Sequence, residues 1–411
     1  MDVFKHILRS GMVGMLVLTA VSCGGSRSDI APPTPPPPAA ANVVSVVVDG
    51  GPIASQASVN TLFTTVTICV PGSKTECQTI DHIQVDTGSY GLRVLASVLT
   101  LTLPGVKASD GNSLLECTQF VDGYSWGPVA TADMTIGGES ASSLPVQVIG
   151  SSSFSNVPPN CSSTGPAEDT VAEFGANGII GIGVFAQDCG AGCAGTPDNG
   201  FYYSCSATMC APIAAPLNTQ VLNPIPLFAT DNNGTIIELP SVASPGEATL
   251  TGSLIFGIDT ESNNASGTQT VLDVDTSAGY FTTVFGAAGG RLTASFLDTG
   301  SNGLYFGDTG LAQCTGSSYA NFYCPATAQT FSATLQGASG AGSASVSFTV
   351  GNAETIGQAN PTFLVLPTLA GTYLGTTPTF DWGLPFYYGR RVATALQGYT
   401  TSAGTGPYVA F

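Results

Sequence analysis

With 411 residues, 9 basic side chains against 27 acidic ones and a formal net charge of −18, the chain lacks the basic footprint of a nucleic-acid binder. The same imbalance gives it no electrostatic attraction to an anionic lipid surface. Its 51 glycines and 27 prolines, set among many serines and threonines, predict short strands and tight turns with few, short helices, and the length predicts two or three domains at about 100–200 residues each.

The chain opens with Lys5 and Arg9, followed by a short apolar core from Gly11 to Val21. Residues 1–22 therefore read as an export signal, too short for a comfortable membrane span. The run Ala20-Val21-Ser22-Cys23 resembles the lipobox of bacterial lipoproteins, in which the cysteine is acylated and becomes the first residue of the mature chain. Gly24-Gly25-Ser26 and the proline-rich stretch from Pro32 to Pro38 make residues 23–42 an extended tether. Gly24 is similar to the sorting residue of outer-membrane lipoproteins. The expected location is thus a membrane, on its periplasmic or surface face, reached only through a lipid on Cys23.

The folded part is expected from Val43, as an N-terminal β lobe over 43–228 and a C-terminal β lobe over 229–411. Val44-Val46-Val48 and Leu62-Thr64-Val66 alternate as half-buried strands do. Phe120 to Gly127 reads as a glycine-containing hairpin, and Gly137-Gly138 as a turn into a strand at Val146-Gln147-Val148. A cysteine-rich stretch, 157–212, reads as a surface excursion. Within it Asn177-Gly178-Ile179-Ile180-Gly181 is an apolar strand packed against a neighbouring backbone. Later strands are expected at 252–257, 270–274, 344–350 and 363–366, and at the terminus, Tyr408 to Phe411.

Eleven cysteines point away from the cytoplasm. Setting Cys23 aside, close spacing pairs Cys69 with Cys77 and Cys314 with Cys324, and elimination pairs Cys117 with Cys161. Cys189, Cys193, Cys205 and Cys210 can pair in three ways, among which the sequence does not choose. No histidine lies near that quartet, which disfavours a metal site.

The chain writes one nonapeptide twice. Asp86-Thr87-Gly88-Ser89-Tyr90-Gly91-Leu92-Arg93-Val94 and Asp298-Thr299-Gly300-Ser301-Asn302-Gly303-Leu304-Tyr305-Phe306 agree at six of nine positions, 298 − 86 = 212 residues apart. Each copy follows an apolar stretch, so each places an aspartate where a strand enters a tight glycine turn. Two such carboxyls brought together share one proton, because like charges about 3 Å apart cannot both ionise. One can then act as base and the other as acid on a water between them. A third Asp-Thr-Gly, at 308–310, lacks the apolar lead-in and reads as a loop coincidence. His82, the only histidine after the signal, reads as structural.

The paired motifs resemble those of pepsin-like aspartic proteases, and the order of other segments agrees from about residue 43 to 411. The resemblance implies an all-β bilobal fold with an interlobe cleft, and Asp86 and Asp298 as the catalytic pair. It further implies that Thr87 and Thr299 cross-brace the turns and that Gly88 and Gly300 allow close approach. Ser89 and Ser301 would hydrogen-bond the carboxylates, and Phe120, Asp122, Gly123 and Tyr124 would form the substrate flap. Three departures stand out. Phe120 occupies the flap tyrosine's place, Arg93 stands where a tryptophan is usual, and Asp381-Trp382-Gly383 replaces an apolar-apolar-glycine segment. Arg93 is expected to act as a cation on Asp86. The chain is also similar to a group of exported bacterial lipoproteins. The function expected is peptide hydrolysis by a monomer acting on a polypeptide, without cofactor or metal. The alternatives are a catalytically silent relative that binds a polypeptide or glycan, or a structural envelope lipoprotein.

Overall fold

The computed structural model describes residues 40–411, apart from Thr164, Asp308, Thr309 and Thr376. The signal, Cys23, most of the tether and the first two residues of the third Asp-Thr-Gly lie outside the described residues.

The architecture is all-β, in one sheet of fifteen strands and one of seven, with a further two-stranded ribbon. Helices are short, the longest described being Ala353–Ala359, capped by the Asn352 side chain, which accepts from the Thr355 N–H. Within the larger sheet the strands Leu62–Cys69, Cys77–Asp86, Gly178–Ile182, Tyr90–Leu95, Glu139–Ile149 and Tyr124–Ile136 are neighbours in that order. They close into a barrel because Tyr124–Ile136 returns to pair with Leu62–Cys69 at Thr67↔Thr135. Full closure removes exposed strand edges. Alternation fills the interior: Val66, Ile68, Ile80, Ile83, Val85, Met134 and Val146 are buried together.

The smaller sheet repeats part of this wiring. In the first half, Gly178–Ile182 runs parallel to Cys77–Asp86 and antiparallel to Tyr90–Leu95. In the second, Phe380–Trp382 runs parallel to Gly290–Leu297 and antiparallel to Leu304–Phe306. A stack of aromatic side chains fills this half, with Phe380 on Trp382 at 3.8 Å between ring centroids. Strand Val43–Val48 links the halves, pairing with Leu250–Phe256 on one side and Leu62–Cys69 on the other. The terminal strand Tyr408–Ala410 lies between Arg391–Ala395 and Val271–Asp273, inside the sheet as its apolar sequence predicts.

Two expectations change. The stretch 157–212 is not merely a surface excursion: Tyr202–Cys205 pairs with Ser113–Gln119 and extends the sheet, with Tyr202 and Tyr203 buried. Cys161 and Cys205 pack with Tyr124 and Trp126, so burial of aromatic area draws the segment in. Residues 363–366 make a single bridge at Val365 with Glu247 rather than a strand.

Five disulfides join Cys69–Cys77, Cys117–Cys161, Cys189–Cys193, Cys205–Cys210 and Cys314–Cys324. The three pairings expected from spacing and elimination are present, and the quartet resolves into two local loops. Such a density of disulfides belongs to an extracytoplasmic protein. Among the described residues no helix is long and apolar enough to cross a membrane.

Candidate active site

Strand Cys77–Asp86 ends on Asp86, and strand Gly290–Leu297 runs into Asp298. The two turns meet face to face. The Thr87 N–H donates to Thr299 Oγ1 at 3.2 Å, and the Thr299 N–H donates to Thr87 Oγ1 at 3.0 Å. Each hydroxyl then donates across the junction, Thr87 to the Leu297 carbonyl at 3.1 Å and Thr299 to the Val85 carbonyl at 2.7 Å. Both threonines are buried. Because the Thr87 proton is committed to Leu297, the Tyr387 hydroxyl 2.9 Å away must be the donor to Thr87. Net hydrogen bonds contribute about 1 kcal/mol each, whereas an orphaned buried partner costs about 1–3 kcal/mol, so the junction holds only as a complete set. Gln84 adds a further tie, its amide donating to the Gly300 carbonyl at 3.0 Å.

This brace interleaves the carboxyls. A Cβ added at Gly88 would stand 2.7 Å from the Asp298 carboxyl carbon, and one at Gly300 would stand 2.8 Å from that of Asp86. Only glycine fits at either place. The Gly88 N–H donates to Asp86 Oδ1 and the Gly300 N–H to Asp298 Oδ1, each at 2.7 Å. The Ser89 hydroxyl donates to Asp86 Oδ2, and Ser301 Oγ lies 2.8 Å from Asp298 Oδ2. Asp86 and Asp298 are themselves in hydrogen-bonding contact. Asp298 lies half-buried on the cleft floor. Removal from water, then the charges of Asp86 and Asp381, hold its carboxyl well above the usual carboxylate range, against the pull of Ser301.

Above the pair opens a cleft of ≈ 370 Å³ reached by residues of both halves. Phe120 and Asp122 line it, and Phe120 meets Phe174 edge-on at 6.2 Å. Val121, at the tip of the same turn, is 69% exposed, and Leu374 on the opposite lip is 42% exposed. Tyr124 is not among the cleft residues: it is buried beside Trp126 and the Cys117–Cys161 disulfide. A Cβ at Gly123 would meet the Pro166 carbonyl at 2.6 Å, so Gly123 packs closely against that neighbouring backbone.

Arg93 is not a cation on Asp86. Its Nη2 donates to Glu116 Oε1 at 2.6 Å and reaches Asp188 Oδ2 at 3.4 Å, its Nε donates to Thr118 at 2.8 Å, and its Nη1 to the Tyr90 carbonyl at 2.7 Å. Arg93, Glu116 and Asp188 are all buried. Asp188 is held well above the carboxylate range by burial and by Glu116, with which it is in hydrogen-bonding contact. One cation thus faces two buried carboxyls, and the raised proton affinity of Asp188 favours its uncharged form beside the Arg93–Glu116 pair.

The residue that sequence reasoning missed is Asp381. It pairs across from Tyr305, lines the cleft beside Asp298, and accepts or donates at 2.6 Å with Ser301 Oγ. Burial pushes its carboxyl up to about 8, with Ser301 opposing and Asp86 adding to the rise. The available signal was its place two residues before Gly383, in the segment equivalent to the one ending at Gly181.

Residues 38–411 match the family described as "Protein of unknown function (DUF3443)". The chain belongs to that family. No curated protein matches it in sequence. Among solved structures it is similar to the crystal structure of an aspartic proteinase from Irpex lacteus, at 16% identity and a TM-score of 0.45 over 90% of this chain and 96% of that one.

Proposed function

We propose that this DUF3443 protein is an aspartic-type endopeptidase that hydrolyses peptide bonds with a water held between Asp86 and Asp298. The observation that carries the reading is the geometry of the two braced turns: two interleaved carboxyls, each with its own glycine N–H and serine hydroxyl, on the floor of a cleft lined by residues of both halves. Asp298 holds the shared proton and hydrogen-bonds the scissile carbonyl oxygen. Asp86 takes a proton from the water as its oxygen attacks the carbonyl carbon, and Asp298 gives its own proton to the carbonyl oxygen, forming a gem-diol. Asp86 then protonates the leaving nitrogen, Asp298 recovers its proton from a diol hydroxyl, and the C–N bond breaks. The exposed Val121 and Leu374 on the two lips, with Phe120, Phe296 and Tyr373 along the cleft, favour peptides with apolar side chains.

Cleavage of a mixed peptide library between about pH 3 and 8, with Asp86→Asn and Asp298→Asn beside the parent, tests this. The parent is expected to cut over a bell-shaped range set by the pair's two macroscopic ionisations, and either variant to stay folded and inactive. A silent parent that no transition-state analogue stabilises against heat would sink the protease reading in favour of a binding cleft. We further propose that a lipid on Cys23 displays the enzyme at a membrane.

A further inference from the structure

The two halves of the site are built on one pattern but differ at one pair of positions. Arg93 stands opposite Ile179 in the first half, and its counterpart Tyr305 stands opposite Asp381 in the second. Ile179 and Asp381 both line the cleft, so a carboxyl replaces a hydrocarbon at the same place beside the second aspartate. Ser89 consequently has one carboxylate partner, Asp86, whereas Ser301 lies between two: Asp298 Oδ2 at 2.8 Å and Asp381 Oδ2 at 2.6 Å. A serine hydroxyl carries one proton and can donate to only one of them. The other contact is attractive only if that carboxyl brings a proton of its own. Asp381 is 5% exposed, and among the described residues its Oδ1 has no hydrogen-bond partner. A charged carboxylate so placed would leave an unpaired buried acceptor, whereas a protonated one directs its O–H at Ser301.

Resting on the protease reading above, we propose that Asp381 is a third carboxyl of the site, a positioning residue that keeps a proton and donates it to Ser301, turning the Ser301 hydroxyl onto Asp298. The chain of donors runs from Asp381 to Ser301 to Asp298. It steadies Asp298 at the moment it gives up its proton to the substrate carbonyl, when its carboxylate most needs a donor. Loss of the Asp381 proton reverses the hydroxyl: Ser301 then donates to the Asp381 carboxylate, and Asp298 faces a second negative charge without its donor. Acid catalysis by Asp298 slows for both reasons. Among the described residues, the titratable groups that act on Asp381 or feel its charge are Asp86 and Asp298 across Ser301, Tyr305 on the paired strand, and Tyr387 behind Thr87. Both tyrosines are held neutral by burial, so the titration belongs to the three carboxyls.

The test compares the oxidised parent with Asp381→Asn, whose side-chain N–H₂ keeps a donor on Ser301 at every pH, and with Asp381→Ile, which installs the first half's residue. Infrared difference spectra at neutral pH are expected to show a protonated-carboxyl C=O band in the parent that both variants lack. The alkaline limb of kcat/KM is expected to move up by about one pH unit or more in Asp381→Asn, so that one unit above the parent's break the variant keeps a fraction of its own maximum roughly fivefold or more above the parent's. In a Ser301→Ala background the same substitution is expected to move the limb by clearly less, because only the charge of Asp381 then acts on Asp298. An unchanged infrared band in the two folded variants, an alkaline limb that does not move, or a shift just as large without Ser301 overturns the role of Asp381. A parent that shows the band yet cleaves no peptide counts against the protease reading and leaves the orientation of Ser301 standing on the spectrum.

Discussion

Replacing Arg93 by methionine should destabilise the protein in a pH-dependent way that follows from charge count alone. The guanidinium is 1% exposed and pairs with the buried Glu116 beside Asp188, whose carboxyl burial and Glu116 hold toward its protonated form. Methionine fills most of the volume but leaves one buried negative charge without a partner. The folded variant must therefore take up a second proton, while its unfolded chain binds that proton only below about pH 4.3. The variant's folded carboxyl titrates above its unfolded value, so the stability lost by the substitution is small below about pH 4 and grows as pH rises. From about pH 4.3 to 7 the interval is roughly 2.7 units, and at about 1.36 kcal/mol per unit this gives about 4 kcal/mol. Broken buried ion pairs cost about 3–5 kcal/mol, in agreement. Urea unfolding of the oxidised parent and Arg93→Met at about pH 4.5 and 7 measures both ends of the range. Adding Glu116→Gln should restore most of the loss at neutral pH. A cost below about 1 kcal/mol at neutral pH, or an equal cost at both pH values, refutes the reasoning.

Three further outcomes are expected. Gly88→Ala places a methyl 2.7 Å from the Asp298 carboxyl carbon and forces the pair apart, so kcat should fall by about 100-fold or more while circular dichroism stays native; full activity would contradict the interleaved geometry. Asp381, raised in the folded state from 3.8 to about 8, binds its proton more tightly there than in the unfolded chain, so stability should decline through that window as pH rises. Asp381→Asn should remove up to about 1.4 kcal/mol per pH unit of that decline, read from urea midpoints, and a difference from the parent that is constant with pH argues against it. Cys23→Ser should move the protein from the membrane to the soluble fraction and abolish fatty-acid labelling; unchanged partitioning removes the lipid anchor.

The pairing of the two turns was legible because the same six residues recur in the same local setting, and because glycine, threonine and serine at those places each have a geometric duty beside an aspartate. The apolar strand at Gly178–Ile182 was legible for a related reason: glycines inside a hydrophobic run imply a backbone close by, and Gly181 and Gly183 indeed abut the Ser89–Tyr90 and Thr87 backbone. Other parts rest on contacts remote in sequence. Nothing near Arg93 announces Glu116 or Asp188, which lie 23 and 95 residues away, and so its charge looked available to Asp86. The cysteine quartet pairs locally because Tyr202–Cys205 turns straight back into Cys210–Pro212, a hairpin that spacing alone leaves undecided. Of the residues expected in the flap, Phe120 and Asp122 line the cleft, but Tyr124 falls at the start of a long strand whose alternation turns it into the core.

Asp381 shows why a broken motif can be more informative than a kept one. Read as a string, Asp381-Trp382-Gly383 looks like decay of an apolar-apolar-glycine segment. Read in register, Trp382 pairs with Leu304 as Ile180 pairs with Leu92, and Asp381 falls where Ile179 stands. The strand is kept, Trp382 is wholly buried, and a Cβ on Gly383 would strike the Gly303 carbonyl at 2.1 Å. The constraints that hold the backbone are therefore intact, and a single side chain has changed from hydrocarbon to acid. A buried acid costs several kcal/mol unless its proton or a partner compensates, and at this position the compensating partner is the serine that serves Asp298. The effect is to make the two aspartates unequal. In a site of exact twofold symmetry either carboxyl could hold the shared proton. Here burial and the charge of Asp86 raise the proton affinity of Asp298, and Asp381, keeping its own proton, turns the Ser301 hydroxyl onto Asp298, whereas Ile179 stands at the matching place in the first half. That inequality is what the proposed general acid and general base, built from the same residue, require.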